Sequence, residues 1–333
     1  EGDAWVFGIA QVYGNARVSG DAWVNGNSRV YGDALVFGNA LVCDGVVFGK
    51  ARVYDYAWVY GDAEVSGNAR VYGSAKVSGN ARVHGSAEVF GNAMVSDSVV
   101  FDNAWVYDNA CVSDDAKVYD NAKVSGVAVV SDNAQVFGNA RVSGLAEVSD
   151  NARVSGDAWV NGNARVYGDA SVFGNARVHG SAEVFGNARV YDDALVYDNA
   201  KVSGVAEVSS NARVYGDAVV TGNARVYGDA WVFGNALVSE SVISGNAQVY
   251  DNALVYGDAV VTGNARVHGS AKVFGNARVY GDASVFGNAR VHGSAEVFGN
   301  SRVYDDASVF GNAQVSDSVV SGNTRVSGDA ATN

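Results

Sequence analysis

Four histidines are the side chains of this sequence best suited to catalysis or metal binding. His84, His179, His268 and His292 each lie in the same local sequence, Arg-Val-His-Gly-Ser-Ala. A metal or catalytic site needs different side chains brought together around one point. Four identical contexts instead indicate interchangeable outward positions of a repeat. We therefore predict no catalytic residue, no metal site and no enzymatic activity.

Two other kinds of residue could do chemistry. Cys43 and Cys111 are the two cysteines, and both fall at outward positions without a repeated cysteine partner, which argues against a disulfide framework or a thiolate metal site. Asp and Asn occur in the turns, as in calcium-binding solenoids, but the Gly-Gly-x-Gly-x-Asp signature of those proteins is absent. We expect the turns to be satisfied by local hydrogen bonds and expect no cofactor.

The element that positions all these side chains is a repeat of six residues, clear over residues 162–172. From Ala4 onward the pattern Ala-x-Val-x-Gly-Asn/Asp recurs about 55 times. Alternation of Ala and Val with variable residues is typical of a strand with one buried face. Gly followed by Asn or Asp is turn chemistry. Because every repeat has its inward pair in the same chain direction, the pattern predicts stacked parallel coils.

The charged positions favour an 18-residue coil of three repeats. This spacing places Arg70 beside Glu88, Arg189 beside Glu207 and Arg278 beside Glu296, and it sets Arg141 and Arg213 beside Trp159 and Trp231. A narrow, two-sided 12-residue coil is the alternative. It would stack Arg165, Arg177 and Arg189 in one column, and directly opposed like charges are destabilising.

Four repeats have only five residues and lack the Gly of the turn. They are residues 40–44, 93–97, 236–240 and 313–317. Counting repeats in threes places the first three at one corner of the coil and the fourth at another. A bend or docking point is one interpretation, and a deletion copied by segment duplication is the one we favour. Residues 165–191 support copying, since they match residues 278–304 except that Ala188 becomes Ser301.

Net charge and hydropathy restrict the classes of binding partner that the sequence allows. A net charge of −13 argues against nucleic acid, because phosphate binding requires a basic surface. Long apolar runs are missing, so we predict no membrane span. The sequence begins Glu1-Gly2 with no Met and no signal peptide, which indicates a processed or excised segment. The compartment stays open, with an extracellular or cell-surface location favoured.

The repeat resembles a known family. Ala-x-Val-x-Gly-Asn every six residues is similar to the hexapeptide repeat of left-handed β-helix proteins, and runs of Gly-Asp/Asn-Ala-x-Val are similar to the YdcK-like β-solenoid repeat. The resemblance implies a left-handed coil. Together with three repeats per coil, the expected fold is an all-β, single-stranded, left-handed parallel β-helix of about 18 triangular coils. One continuous solenoid is expected over residues 1–333, as a segment of a longer or assembled protein. The family includes acyltransferases and carbonic-anhydrase-like enzymes, but the repeat itself implies no activity.

Aromatic side chains are the most distinctive outward feature. Of 30 Tyr and Phe residues, 29 follow the Val of a repeat, and the exception is Tyr56. The tryptophans lie at the middle position and are the candidate surface-interaction residues: Trp5, Trp23, Trp58, Trp105, Trp159 and Trp231. We expect a structural spacer, fibre or filament subunit that self-associates laterally or end to end. The alternatives are a module that binds glycans or a surface through its aromatic ladders and, third, a hexapeptide-type acyltransferase.

Overall fold

A computed structural model describes residues 3–332 of the chain. Every regular element in this range is a β-strand of two or three residues. No helix long and apolar enough to cross a membrane occurs among these residues. The chain divides into two compact units, Glu1–Gly168 (unit 1) and Asp169–Asn333 (unit 2). Each unit is described by itself.

Unit 1 contains 28 strands. They are β1 (Trp5–Val6), β2 (Gln11–Val12), β3 (Arg17–Val18), β4 (Trp23–Asn25), β5 (Arg29–Val30), β6 (Leu35–Val36), β7 (Leu41–Cys43), β8 (Val46–Val47), β9 (Arg52–Val53), β10 (Trp58–Tyr60), β11 (Glu64–Val65), β12 (Arg70–Val71), β13 (Lys76–Ser78), β14 (Arg82–Val83), β15 (Glu88–Val89), β16 (Met94–Ser96), β17 (Val99–Val100), β18 (Trp105–Val106), β19 (Cys111–Val112), β20 (Lys117–Val118), β21 (Lys123–Val124), β22 (Val129–Val130), β23 (Gln135–Val136), β24 (Arg141–Val142), β25 (Glu147–Val148), β26 (Arg153–Val154), β27 (Trp159–Val160) and β28 (Arg165–Val166).

Unit 2 also contains 28 strands. They are β29 (Ser171–Val172), β30 (Arg177–Val178), β31 (Glu183–Val184), β32 (Arg189–Val190), β33 (Leu195–Val196), β34 (Lys201–Val202), β35 (Glu207–Val208), β36 (Arg213–Val214), β37 (Val219–Thr221), β38 (Arg225–Val226), β39 (Trp231–Val232), β40 (Leu237–Ser239), β41 (Val242–Ile243), β42 (Gln248–Val249), β43 (Leu254–Tyr256), β44 (Val260–Val261), β45 (Arg266–Val267), β46 (Lys272–Phe274), β47 (Arg278–Val279), β48 (Ser284–Val285), β49 (Arg290–Val291), β50 (Glu296–Phe298), β51 (Arg302–Val303), β52 (Ser308–Val309), β53 (Gln314–Ser316), β54 (Val319–Val320), β55 (Arg325–Val326) and β56 (Ala331–Thr332).

Within each unit, strands pair in parallel with the strand three places along the chain. Trp5 faces Trp23, Trp23 faces Leu41 and Leu41 faces Trp58, and the last step is one residue shorter because it contains a five-residue repeat. In unit 1 this pairing gives three parallel sheets: sheet 1 (β1, β4 and every third strand to β28), sheet 2 (β2 to β26) and sheet 3 (β3 to β27). In unit 2 the corresponding sets are sheet 4 (β29 to β56), sheet 5 (β30 to β54) and sheet 6 (β31 to β55).

The predicted β-solenoid with three repeats per coil is confirmed, and the 12-residue alternative is wrong, because each strand's partner lies one 18-residue coil away. Three strands per coil make about nine coils in each unit. At about 4.8 Å per coil, the stacked coils of one unit rise roughly 43 Å.

The interior of each unit is built almost wholly from Ala and Val. In the repeat at residues 162–167, Ala164 and Val166 are fully buried, whereas Arg165 between them is exposed. Ile243 takes the place of one Val and is the largest fully buried side chain. Away from the terminal repeats, burying the Ala and the Val of each repeat removes apolar surface that a single coil cannot cover. The predicted inward face is therefore confirmed.

The turns use a left-handed backbone at the Gly position, as at Gly162 with φ of 71°. Asp often replaces this Gly and gains a hydrogen bond in exchange: Asp108, with φ of 61°, accepts from the Gly126 backbone N–H in the next coil at 3.2 Å. The following turn position forms amide ladders. Asn103 donates to Asn121, Asn121 to Asn139 and Asn139 to Asp157, at 3.3, 3.3 and 2.9 Å. These hydrogen bonds satisfy the turns, but they join residues 18 positions apart in neighbouring coils, whereas the sequence predicted local bonds.

Each five-residue repeat makes a tight corner closed by an acidic side chain. The residue is Asp44, Asp97, Glu240 or Asp317, each with a φ between 46° and 59°. Its carboxylate accepts a hydrogen bond from the backbone N–H of Asn27, Asn80, Asn223 or Asn300 in the preceding coil, at 2.8, 2.9, 3.1 and 2.9 Å respectively.

The sheets on which these corners lie agree with the prediction made by counting three repeats per coil. In unit 1 the two corners end β7 and β16, which both belong to sheet 1. In unit 2 the corners end β40 of sheet 6 and β53 of sheet 4. The fourth corner therefore lies on a different side from the third, as the sequence predicted.

Candidate interaction surfaces

The middle position of each repeat points outward, and its charges pair between coils. Arg70 lies 3.3 Å from Glu88, Arg189 lies 4.0 Å from Glu207, and Arg278 lies 3.9 Å from Glu296. These exposed pairs each contribute on the order of 0.2–1 kcal/mol. The three predicted pairs are confirmed.

The register also places some like charges side by side. The pairs are Arg52 with Arg70, Lys123 with Arg141, and Lys272 with Arg290. The sequence favours the 18-residue coil because this coil avoids systematic repulsion, and these pairs show that the avoidance is incomplete.

The six candidate tryptophans do not form a single site. Sheet 1 of unit 1 contains Trp5 and Trp23 in adjacent coils, and Trp58 lies two coils after Trp23. Sheet 3 carries Trp105 and Trp159, three coils apart. In unit 2, Trp231 lies alone in its column, where the Arg213 guanidinium is 5.1 Å from its ring centroid. The predicted cation–π pair of Arg213 and Trp231 is therefore confirmed.

Sheet 1 presents an uncharged stripe over four coils. We call it the apolar stripe, and its members are Trp5, Trp23, Leu41 and Trp58. The three tryptophans are 59%, 49% and 45% exposed. Lys76 ends the stripe, with its ammonium 5.2 Å from the Trp58 ring centroid. Contiguous exposed apolar side chains of this kind mark an interaction surface.

Sheet 3 combines aromatic and cationic side chains in consecutive coils. Its middle column reads Trp105, Lys123, Arg141 and Trp159. The Lys123 ammonium lies 4.3 Å from the Trp105 ring centroid. At the far end, the Trp159 indole N–H donates a hydrogen bond to Ser143 Oγ at 3.1 Å. The register thus confirms that Arg141 and Trp159 are neighbours, and the indole is held by the serine.

The rings that follow the buried Val form stacked ladders along the coils. Unit 1 contains a ladder of Phe37, Tyr54, Tyr72, Phe90 and Tyr107 with centroid separations of 4.9 to 5.0 Å. Unit 2 contains a longer ladder whose separations are 4.7 to 5.1 Å: His179, Tyr197, Tyr215, Phe233, Tyr250, His268, Phe286 and Tyr304. Parallel stacking at this distance stabilises neighbouring coils.

The histidines belong to these ladders. His84 stacks on Phe101, and His292 stacks between Phe274 and Phe310. Burial lowers the pKa of His179, His268 and His292, which favours the neutral form of these imidazoles. His268 and His292 follow strands of sheets 5 and 6, so they lie on different sides of the coil, as the count of repeats predicted.

The two cysteines are free and partly exposed. Burial raises the pKa of the Cys43 and Cys111 thiols, so both favour the protonated, less nucleophilic form. Cys43 lies at a tight corner, where its thiol is 3.4 Å from Asp44 Oδ2. No group of three or more His, Cys, Asp or Glu side chains suited to a metal ion occurs within residues 3–332.

The geometry of the coils agrees with a comparison of the sequence with known families. A sequence profile described as "YdcK Beta solenoid repeat" matches nine segments of the chain: residues 10–26, 63–76, 134–145, 146–162, 164–180, 188–204, 212–228, 247–263 and 255–269. These segments are similar to the YdcK β-solenoid repeat. The resemblance expected from the hexapeptide pattern is confirmed.

Other comparisons describe the architecture alone. No curated protein matches the chain significantly. A solved structure from Desulfovibrio desulfuricans G20, described as a "putative acetyltransferase", is similar over 74% of this chain and 67% of its own, with 10% identity and a TM-score of 0.28. A likeness this distant carries no argument about activity.

Four departures from the repeat have structural roles that the sequence did not predict, two of them exposed and two buried. Val127 and Leu145 occupy turn positions where Asn or Asp is usual, and they are 50% and 57% exposed beside the sheet 3 column. Ser28 and Ser301 replace inward alanines, and each donates a hydrogen bond to a tight-corner strand, at Val42 O and Val315 O, both at 3.1 Å. Each of these four residues departs from the repeat pattern, and this departure is the feature of the sequence that could have identified it.

Proposed function

We propose that this protein is a structural β-solenoid element, used as a spacer, fibre or filament subunit. The observation that supports the proposal is the unbroken pairing register within each unit. Successive strands begin one repeat apart, and no longer loop interrupts the coils in the described residues. Such a chain builds a stiff stack whose outer side chains repeat at regular spacing.

The apolar stripe on sheet 1 supports lateral association with a second copy. The chain has a net charge of −13, so most faces of two copies repel each other. The stripe carries no charge over the four coils from Trp5 to Trp58. Contact through this stripe brings copies together along a column that has no charged side chain. End-to-end stacking, the second mode of assembly expected from the sequence, stays a prediction.

Sedimentation velocity and electron microscopy test the assembly. We expect the wild-type protein to form dimers or longer assemblies, and we expect Trp23→Ser/Trp58→Ser to shift it toward the monomer. Trp231→Ser, which removes a tryptophan outside the stripe, is the matched control and should leave assembly unchanged. Compact monomers at all concentrations, or equal effects of both variants, would refute lateral association through the stripe.

The proposal assigns no catalytic role to the chain. Its support is that the histidine rings are stacked in ladders on different sheets, with His268 between Tyr250 and Phe286. The alternative, a hexapeptide-type acyltransferase, requires acyl-CoA binding. Calorimetry with acetyl-CoA distinguishes the two, because measurable binding would contradict the purely structural role.

A further inference from the structure

We propose that the groove on sheet 3 between Trp105 and Trp159 binds a short acidic oligosaccharide, whose sugar rings carry carboxylate or sulfate groups. The groove has a volume of about 270 Å³ and is lined by Tyr107, Lys123, Ser125, Arg141, Ser143 and Trp159. This site lies within unit 1 and on a different sheet from the apolar stripe. The proposal goes beyond the structural role and does not depend on it.

The two cations at the centre of the groove lack an acidic partner. Lys123 and Arg141 are direct neighbours across the parallel pair β21–β24, so their charges repel. Among the described residues neither forms an ion pair with a carboxylate, whereas Arg70 of the same sheet pairs with Glu88 at 3.3 Å. An anionic group bound between them would remove this repulsion. The planar guanidinium of Arg141 suits the paired oxygens of a carboxylate or sulfate.

Two half-exposed indoles lie at the ends of the column: Trp159 lines the groove, and Trp105 lies one coil before Lys123, whose ammonium contacts its ring. Trp105 and Trp159 are each 38% exposed and lie three coils apart, about 14 Å at the usual strand spacing. The hydrogen bond from the Trp159 indole to Ser143 fixes the orientation of that ring before any ligand arrives. Sugar rings have apolar C–H faces that pack on aromatic rings, and a preordered ring loses less entropy on binding.

Polar groups flank the column on both sides. Ser125 and Ser143 lie on one side, and the amide ladder that includes Asn121 and Asn139 lies on the other. Hydroxyl and amide groups both donate and accept, which matches the hydroxyls of a sugar. The nearby acidic side chains already have partners: Asp108 accepts from the Gly126 N–H at 3.2 Å, and Asp157 accepts from Asn139 at 2.9 Å.

The charge of the whole chain favours a short saccharide over a nucleic acid. A nucleic acid carries a phosphate at every nucleotide, and binding it requires many cations. This groove provides two, in a chain with a net charge of −13. A short oligosaccharide places its few charges at Lys123 and Arg141 and its ring faces on the indoles.

Unit 2 offers a matched comparison. Lys272 and Arg290 are neighbours in sheet 6, but Leu254 precedes them and Ser308 follows them in the column. This pair therefore has the same charge and spacing without flanking tryptophans. Exchanging both cations for Gln at either place changes the net charge equally.

Isothermal titration calorimetry with four probes tests the site. They are trigalacturonate, a heparin-derived tetrasaccharide, maltotriose as the neutral sugar, and a hexamer of deoxythymidylate. We expect at least one acidic saccharide to bind, and we expect raising the salt from 50 to 500 mM to weaken it several-fold. Lys123→Gln/Arg141→Gln should weaken binding at least fivefold, and Trp159→Ala should weaken it as well. Lys272→Gln/Arg290→Gln should leave it unchanged.

Three results would overturn the proposal: no binding of either acidic saccharide, equal loss in both double variants, or tighter binding of the deoxythymidylate hexamer, which would assign the groove to nucleic acid. Because the substituted side chains lie on the surface, all variants should keep the wild-type far-ultraviolet circular dichroism. Lateral assembly is measured separately with the stripe variants, so failure of one proposal leaves the other open to its own test.

Discussion

The side-chain Oδ1 of Asp97 accepts a hydrogen bond from the backbone N–H of Asn80, 17 residues earlier and one coil away, at 2.9 Å. The same bond recurs at all four tight corners, with Glu at one of them and Asp at the others. The acid therefore takes over a backbone contact at the place where the five-residue repeat has lost its Gly. A repeated hydrogen bond of this kind explains how a deletion is tolerated.

Replacing the acid at a corner should open that corner. Asp97→Ala removes the acceptor and places a methyl-bearing residue at φ of 47°. We expect a loss of about 1–2 kcal/mol in the free energy of unfolding. Asp97→Asn keeps an acceptor and tolerates positive φ, so its loss should be smaller. Hydrogen exchange at the Asn80 amide checks the local effect, and unchanged protection in Asp97→Ala would contradict it.

The glycine beneath the corner is required for space as well as for conformation. Gly79 has a φ of 60°, and a Cβ added there would overlap the Asp97 carboxylate. We expect Gly79→Ala to destabilise by about 2–3 kcal/mol, because the strained backbone and the overlap both contribute. Gly79→Ala/Asp97→Gly removes the overlap and should recover about 1 kcal/mol of the loss. Strictly additive effects in urea denaturation would show that the two residues do not interact.

Residues 165–191 and 278–304 differ only in that Ser301 stands where the first segment has Ala188. The position of Ser301 gives its hydroxyl a hydrogen bond that an alanine could not form. Its fully buried hydroxyl donates to Val315 O at 3.1 Å, in the strand that ends at a tight corner. We expect Ser301→Ala to lower stability by about 1 kcal/mol. Ala307→Gly provides a calibration for a simple loss of packing at the next repeat. A Ser301→Ala protein with wild-type urea midpoint would refute a stabilising role for the hydroxyl.

Acid should weaken the ring ladders. Burial lowers the pKa of His179, His268 and His292 below the ordinary value of 6.5, with Asp251 opposing the shift at His268. Below pH 6.5 the unfolded chain binds more protons at these sites than the folded one. Their contribution to stability is therefore complete above pH 6.5 and falls as pH drops toward the folded pKa values.

A triple substitution tests this pH dependence. His179→Phe/His268→Phe/His292→Phe retains rings that can stack but removes the titrating groups. Between pH 7.5 and pH 5 we expect the thermal midpoint of the wild-type protein to fall more than that of the triple variant. Equal falls would assign the acid sensitivity to other groups.

The coil could be predicted from the sequence because the same residue pattern recurs in every repeat. Alternation of Ala and Val defined the inward face, and the charges of pairs such as Arg70 and Glu88 distinguished the 18-residue coil from the 12-residue one. The bonds of the acids at the corners were not predicted, because they depend on side-chain reach between coils. Left-handed winding stays an expectation from the family resemblance, since the strand register is the same for either hand.

The surfaces were predicted only in part. The six tryptophans were treated as one set, although counting repeats in threes separates Trp58 on sheet 1 from Trp105 on sheet 3. The cationic pair of Lys123 and Arg141 was not predicted, because opposite charges, and not like charges, distinguish the two coil lengths. Counting in steps of 18 residues also places these cations between Trp105 and Trp159, and the register of the strands confirms this order.

Every column described above depends on the 18-residue register, and engineered disulfides test that register most directly. In a background with Cys43→Ser and Cys111→Ser, Gln135→Cys/Arg153→Cys places the two thiols on facing residues of neighbouring coils. Gln135→Cys/Glu147→Cys uses the 12-residue spacing, and these residues lie on different sheets. We predict rapid disulfide formation in the first pair and none within the chain in the second under mild oxidation. The reverse result would contradict the three-sided coil.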